Sequence, residues 1–141
     1  MKKSIYFKCL LASLFSFAIS FVYAQAQSAN TLSGIWELVS FSASHDGKPI
    51  VLTEKQLKIF DDAGTFRVIK ISNTGTCQTV QGTYTITNDK TFVEKITTSV
   101  YEGISGKTNN INYTVKNNVL TAEGIDVKFK ESWRKLPMCE N

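Results

Sequence analysis

Residues 55–72 read KQLKIFDDAGTFRVIKIS, and this stretch decides how the chain is expected to fold. Two segments of alternating character, Lys55–Phe60 and Thr65–Ser72, flank the tight turn Asp61-Asp62-Ala63-Gly64. Alternation with a period of two is typical of a β-strand with one buried face. A glycine at the end of such a turn can take the positive φ that other residues resist. The stretch therefore predicts an antiparallel β-hairpin.

The same pattern continues along the chain on both sides of this hairpin. Polar turns separate short alternating segments, and longer loops are expected at 73–79 and 101–109. The expected strands are Gly34–Phe41, Lys55–Phe60, Thr65–Ser72, Val80–Thr87, Thr91–Val100, Asn110–Lys116, Val119–Glu123 and Val127–Arg134. Eight sequential antiparallel strands can close into an up-and-down barrel, which leaves no free sheet edge. The predicted fold is therefore all-β and barrel-shaped, with a two-sheet sandwich as the alternative.

The first expected strand carries apolar residues on both of its faces. Regular alternation puts Trp36 and Leu38 on one face and Phe41 on the other. The segment that follows, residues 42–54, contains a turn cluster around Gly47 and is expected to form one capped helical turn or a lid. This pattern indicates a strand that is covered on its outer face as well as its inner face.

The first 26 residues have the order of a secretory signal peptide. Lys2, Lys3 and Lys8 precede an apolar run over 9–22, and small residues follow at Ala24 and Ala26. The run is shorter than the roughly 20 residues that a spanning helix needs, although an uncleaved anchor is the alternative. We expect a signal peptide over 1–26 and one exported domain over 27–141, secreted or periplasmic, with no membrane insertion after cleavage.

The charge balance argues against nucleic acid as a partner. The chain has 16 Lys and Arg against 12 Asp and Glu, but the expected signal peptide holds three of the lysines and no acidic residue. The exported domain therefore has a formal charge of only +1. It also lacks a basic cluster with interleaved aromatics and a basic amphipathic helix, so neither nucleic acid nor a membrane surface is expected as a partner.

Two cysteines, Cys77 and Cys139, remain in the expected exported domain. An even cysteine count in an oxidising compartment predicts a disulfide, which would tie the C-terminal tail to the middle of the chain. Closing a loop of about 60 residues stabilises a domain by roughly 4 kcal/mol in the chain-entropy model. Two free thiols are the alternative.

The chain has few of the residues that form metal centres and catalytic triads. His45 is the only histidine and lies in the turn-rich segment after the first strand. A zinc site or a Ser-His-Asp triad needs more ligands or a histidine in a suitable setting. No metal, no cofactor and no enzymatic activity are therefore expected.

Several short motifs, taken in order, resemble a known family. Gly34-x-Trp36 is similar to the G-x-W of lipocalins, and Glu131-x-Trp133-Arg134-Lys135 is where such folds place a basic residue near that tryptophan. The D-D-x-G-T-F, G-T-Y and T-x-V-E motifs begin at Asp61, Gly82 and Thr91. This ordered set resembles bacterial secreted lipocalin-like domains of unknown function. The resemblance implies a calycin-type, lipocalin-like barrel, and it indicates no particular activity because that family is itself uncharacterised. Alternation puts Arg134 on the face opposite Trp133, so a cation stacked on Trp36 requires the strand end to bend.

The inward faces of the predicted strands bring carboxylates and phenols together with apolar groups. A buried carboxylate must be paired, hydrogen-bonded or protonated. Polar groups that converge in an apolar cavity are typical of a small-ligand site. The predicted ligand contacts are Trp36, Tyr84, Phe92, Glu94, Tyr113, Phe129 and Glu131.

We therefore expect a protein that binds a small hydrophobic or amphipathic molecule in the barrel lumen. Two alternatives remain. The buried tyrosines and glutamates could form only an internal network within a filled barrel, which would then act as an accessory or protein-interaction module. The glutamate pair is also compatible with two-carboxylate glycoside hydrolysis, which requires an open cleft. A lumen of roughly 300 Å³ or more favours ligand binding over the filled module.

Overall fold

The computed structural model describes residues 31–43 and 49–138, and these residues form nine strands. The strands are β1 (Gly34–Ala43), β2 (Pro49–Ile50), β3 (Lys55–Phe60), β4 (Thr65–Ser72), β5 (Gly75–Asn88), β6 (Thr91–Ser99), β7 (Thr108–Lys116), β8 (Val119–Gly124) and β9 (Phe129–Lys135). Within the described part of the chain, no helix is long and apolar enough to cross a membrane. The expected signal peptide, His45 and Cys139 lie outside the described residues.

The sheet closes on itself through its first and last long strands. Each strand from β3 to β9 pairs antiparallel with the next, β1 pairs with β3, and β1 also pairs with β9. The closing register runs from Trp36↔Lys135 to Ala43↔Phe129. The two-residue β2 pairs antiparallel with the C-terminal part of β1 through Phe41↔Ile50. The predicted eight-stranded up-and-down barrel is confirmed, and the two-sheet sandwich does not form.

One expected loop is strand in the structure. Residues 75–79 belong to β5, so the connection from β4 is a tight turn at Asn73 and Thr74 and not a loop over 73–79. Ser72 Oγ donates to the carbonyl oxygen of Gly75 at 3.1 Å, and Gly75 has a φ of 145°. The side chains of 75–78 are exposed. An exposed strand end carries no hydrophobic alternation, so the sequence pattern could not reveal it.

The last strand begins later than expected, at Phe129 instead of Val127. Residues 125–127 bend away from the sheet, and the side chain of Val127 is 57% exposed. Val127 therefore lies outside β9, although it still lines the pocket described below.

One end of the barrel is plugged. Leu32 is fully buried there, and Trp36 Nε1 donates to its carbonyl oxygen at 2.7 Å. Lys135 Nζ lies 5.2 Å from the centroid of the Trp36 ring. Gly34 leaves room for the side chain of Lys135, because a Cβ at position 34 would lie 2.7 Å from Lys135 Cε. The cation that stacks on Trp36 is therefore Lys135, whereas Arg134 points outward and donates to Glu37 Oε2 at 2.7 Å.

The half of the barrel next to this plug is filled by aromatic side chains. Phe60 meets Tyr84 edge to face at a centroid distance of 4.9 Å, and Phe92 meets Tyr113 at 5.2 Å. Such edge-to-face pairs stabilise a core beyond the area that they bury. Tyr84 Oη donates to the carbonyl oxygen of Asp61 at 2.7 Å, which ties the core to the turn between β3 and β4. Among the described residues, this half of the barrel is a packed hydrophobic core.

Candidate functional site

The other half of the barrel contains an open pocket of about 610 Å³. It lies where the strands meet the longer connections around residues 100–107 and 125–128. Its apolar and aromatic lining comes from Leu38, Phe41, Ala43, Phe66, Val68, Val80, Ile96, Tyr101, Ile104, Val127, Phe129 and Trp133. Its volume falls in the range of small-molecule sites, and a mainly apolar wall is the usual lining of such sites.

A β-bulge in β1 supplies part of this wall. The register with β9 runs through Leu38↔Trp133 and then Ser40↔Ser132, so Val39 is an extra residue on β1. A bulge of this kind reverses which residues face inward beyond it. Phe41 and Ala43 consequently line the pocket, as Leu38 does. The expectation that Phe41 lies on the face opposite Leu38 is wrong for this reason.

Three charged side chains meet at the inner end of the pocket. Lys58 Nζ on β3 lies 2.6 Å from Glu94 Oε1 on β6 and 4.0 Å from Glu131 Oε2 on β9. The side chains of Lys58 and Glu94 are each only 6% exposed, and that of Glu131 is 18% exposed. Trp133 Nε1 also donates to Glu131 Oε2, at 2.8 Å. We call Lys58, Glu94 and Glu131 the charged triad.

Aromatic rings surround the ammonium group of the charged triad. Lys58 Nζ lies 5.2 Å from the ring centroid of Phe66, 5.4 Å from that of Phe60 and 5.5 Å from that of Trp133. The negative faces of aromatic rings attract a cation at these distances. The inner end of the pocket is therefore built to hold positive charge.

Lys58 and Glu94 form a close ion pair whose hydrogen-bond geometry is poorly aligned. Although Lys58 Nζ is close to Glu94 Oε1, that buried oxygen accepts no well-aligned hydrogen bond from the described residues. Because Glu94 also lines the pocket, a donor inside the pocket would add a hydrogen bond to this carboxylate.

The protonation of the triad is governed by burial and mutual attraction. Burial raises the pKa of Glu94 above its ordinary value of 4.5, and the opposing effect of Lys58 is smaller. Burial acts to lower the pKa of Lys58, but the carboxylates of Glu94 and Glu131 outweigh it and raise the pKa above 10.5. Lys58 therefore stays protonated, while Glu94 retains a proton to higher pH than an exposed glutamate does.

Lys58 is an interior residue that the sequence pattern does not indicate. Leu57 and Ile59 are the more apolar neighbours on β3, so simple alternation would turn Lys58 outward. The hairpin register gives the opposite answer, because Phe60↔Phe66 and Lys58↔Val68 share the inner face. A search for a cation to pair with Glu94 and Glu131 would have been the available signal.

The structure divides the predicted ligand contacts into two groups. Glu94, Phe129 and Glu131 line the pocket. The other four, Trp36, Tyr84, Phe92 and Tyr113, are buried in the packed half and do not line it. Those four side chains are held by one another, by Leu32 and by Asp61, so we assign them to the core and not to the site.

The remaining predicted site residues concern cysteines and metals. Cys77 is exposed on β5, and its expected partner Cys139 lies outside the described residues, so the disulfide stays a prediction. Among residues 31–43 and 49–138, no group of three or more His, Cys, Asp or Glu side chains is arranged to hold a metal ion.

Two solved structures that are similar to this chain come from species of Bacteroides. A lipocalin-like protein from Bacteroides uniformis superposes with a TM-score of 0.60 at 17% identity, over 75% of this chain and 99% of its own. An uncharacterized protein from Bacteroides eggerthii gives 0.57 at 15% identity, over 74% and 99%. At these identities the likeness concerns the fold, which is lipocalin-like.

Comparison at the level of sequence gives the family. No curated protein matches the chain significantly. The family described as a domain of unknown function, DUF4488, matches residues 31–141, which include every strand of the barrel. The resemblance to uncharacterised bacterial lipocalin-like domains is thereby confirmed, and the chain belongs to the DUF4488 family.

Proposed function

We propose that the protein is an exported binding protein that takes a small, partly apolar ligand into the open half of its barrel. The observation that carries this proposal is the pocket of about 610 Å³ with the charged triad at its inner end. An apolar wall supplies binding area, and a few convergent polar groups fix the orientation of a ligand. We assign no reaction to the site.

The division of the barrel into two halves favours binding over a filled interaction module. The aromatic core and Leu32 stabilise the plugged half without help from a ligand. The open half retains about twice the roughly 300 Å³ at which ligand binding becomes the better explanation. A barrel that served only as a scaffold would have no need for this space or for buried charges beside it, since buried ion pairs add little net stability.

Export is supported by the sequence before the barrel. The basic, apolar and small-residue order of 1–26 is that of a secretory signal, so the barrel would act in the periplasm or outside the cell. A binding protein in that location would meet its ligand before the ligand enters the cytoplasm. We therefore propose a secreted or periplasmic protein that captures a small molecule.

The decisive experiment is native mass spectrometry of the protein purified gently from its own host, followed by denaturation and identification of any released compound. The expected result is a stoichiometric apolar or amphipathic molecule. A clean apo mass in several independent preparations would favour the interaction module instead.

Two variants in which an alanine is replaced by tryptophan test where the ligand binds. Ala43→Trp introduces a large side chain into the pocket wall, whereas Ala63→Trp places the same side chain on the exposed turn between β3 and β4. We expect the co-purified compound to be lost from the first variant and kept by the second. Retention of the compound by both would place the ligand elsewhere.

A further inference from the structure

The charges at the inner end of the pocket do not balance. The charged triad contains two carboxylates and one ammonium group. The other charged side chains that line the pocket, Lys107 and Lys128, are exposed in the connections at its mouth. With both carboxylates ionised, the inner end carries one excess negative charge in apolar surroundings. Such a charge is costly unless it is paired or neutralised.

The ammonium group of Lys58 lies closer to one carboxylate of the charged triad than to the other. Lys58 Nζ lies 2.6 Å from Glu94 but 4.0 Å from Glu131. The contacts of Glu131 with Lys58 and with Trp133 are both made by Oε2. Glu131 is also the least buried member of the triad and lines the pocket. A group that enters the pocket therefore meets a carboxylate that lacks a close cationic partner.

The surroundings of the triad suit a second cation better than an anion. Phe66 and Trp133 already present their rings to Lys58 Nζ, and Phe41 and Phe129 line the same pocket. Ring faces attract cations and repel anions. An anionic head that approached Lys58 would also compete with Glu94 for the ammonium group and would increase the negative charge of the inner end.

We propose that the ligand is an amphipathic amine whose protonated amino group binds at the charged triad, paired with Glu131 and Glu94. This proposal rests on the proposed binding function and names its ligand class. With both carboxylates ionised, the amine brings the inner end to two positive and two negative charges, and it adds a second donor beside Glu94, whose close partner is Lys58. The apolar part of the ligand lies against Leu38, Val80, Ile96 and Ile104 on the way to the mouth.

Three probes with one apolar chain and different head groups test this proposal. Dodecylamine, dodecanol and dodecanoate are titrated into the purified protein near neutral pH by calorimetry, below the concentrations at which they aggregate. We expect dodecylamine to bind at least about tenfold more tightly than dodecanol, and dodecanoate to bind most weakly.

The contribution of the carboxylate is measured with matched variants. Glu131→Gln should remove most of the preference for dodecylamine over dodecanol while leaving the affinity for dodecanol nearly unchanged. Glu131→Asp keeps the charge and should retain part of the preference. Glu123→Gln removes an exposed carboxylate on β8, outside the pocket lining, and should change neither affinity. Denaturant unfolding of each variant verifies that it is folded.

The outcomes separate the head group from the binding function. Binding of dodecanol or dodecanoate as tight as that of dodecylamine would overturn the amine proposal and leave the binding function intact. An unchanged amine preference in Glu131→Gln would overturn it as well. Failure of all three probes to bind, together with a clean apo mass of the native protein, would overturn both.

Discussion

Lys58 and Glu94 form an ion pair of 2.6 Å in the interior of the barrel, between two strands that are not neighbours in the sheet. Both side chains are buried, and a second carboxylate, Glu131, approaches the same ammonium group. Charges in such a place are expensive to desolvate, and the attraction between them only partly offsets that cost. The pair is better explained by the pocket beside it than by the stability of the barrel.

Replacement of Lys58 by methionine should destabilise the protein by about 3 kcal/mol or more near neutral pH, because it leaves buried carboxylates without their cation. The measurement is the free energy of unfolding in urea. Lys55→Met is the matched control, since Lys55 is exposed on the same strand and pairs with Glu37 on the surface at 2.9 Å. Loss of that pair should cost less than about 1 kcal/mol.

A double variant identifies the cause of the loss. Adding Glu94→Gln to Lys58→Met removes one of the unpaired carboxylates, so the double variant should be more stable than Lys58→Met alone. If the second substitution instead adds its own full cost, the two side chains are not coupled and the ion pair contributes nothing to the loss.

The stability of the protein should depend on pH through Glu94. Because burial raises its pKa in the folded state above 4.5, the folded protein holds the Glu94 proton more tightly than the unfolded chain does. The contribution of this group is therefore fully present below the ordinary pKa and is lost as the pH rises through the folded pKa.

Glu94→Gln tests that dependence directly. The difference in unfolding free energy between wild type and this variant, measured from about pH 4 to about pH 8, should become less favourable to wild type as the pH rises. Glu123→Gln, at an exposed site, should give a difference that stays flat. A difference for Glu94→Gln that grows in favour of wild type with pH would mean that Lys58 outweighs burial.

Tyr84→Phe should separate the core from the site. The substitution removes the hydrogen bond that Tyr84 Oη donates to the carbonyl oxygen of Asp61 and should lower stability by roughly 1–2 kcal/mol. Because Tyr84 lies in the packed half and does not line the pocket, binding of dodecylamine should not change. Weaker binding at an unchanged stability would return Tyr84 to the site, as the sequence had predicted.

Much of the fold could be predicted because a β-hairpin is specified by a short, continuous stretch of sequence. The turn Asp61-Asp62-Ala63-Gly64 sets the register of β3 and β4, and the structure has both strands with the expected bounds. What could not be predicted depends on contacts across the barrel. The bulge at Val39 is fixed by pairing with β9, and without it Phe41 would face outward.

The site was predicted only in part for the same physical reason. Glu94 and Glu131 stood out because a carboxylate on an apolar face needs a partner. Lys58 did not, because a lysine between Leu57 and Ile59 resembles a residue of the solvated face. Leu32 and the packing of the aromatic side chains determine which half of the barrel is filled. The sequence alone therefore could not distinguish the four core residues from pocket residues, and these are Trp36, Tyr84, Phe92 and Tyr113.

The disulfide between Cys77 and Cys139 remains a prediction with a simple measurement. The exported protein should show no reactive thiol until it is reduced, and Cys77→Ser should lower its stability in oxidising buffer by up to roughly 4 kcal/mol. Reduction should abolish the difference between wild type and Cys77→Ser. Titration of two free thiols in the unreduced, unfolded protein would show that the bond does not form.

Gly34→Ala should destabilise the plugged end of the barrel by about 2 kcal/mol, for two reasons that a double variant can separate. Gly34 has a φ of 131°, which a residue with a Cβ rarely adopts, and the new Cβ would lie 2.7 Å from Lys135 Cε. In a Lys135→Ala background the contact is gone and only the backbone cost remains, so Gly34→Ala should be less harmful there. Ligand binding should be unaffected in either background, because neither residue lines the pocket. An equal cost in both backgrounds would mean that Lys135 moves aside freely and that the glycine of the G-x-W motif is required for its backbone conformation alone.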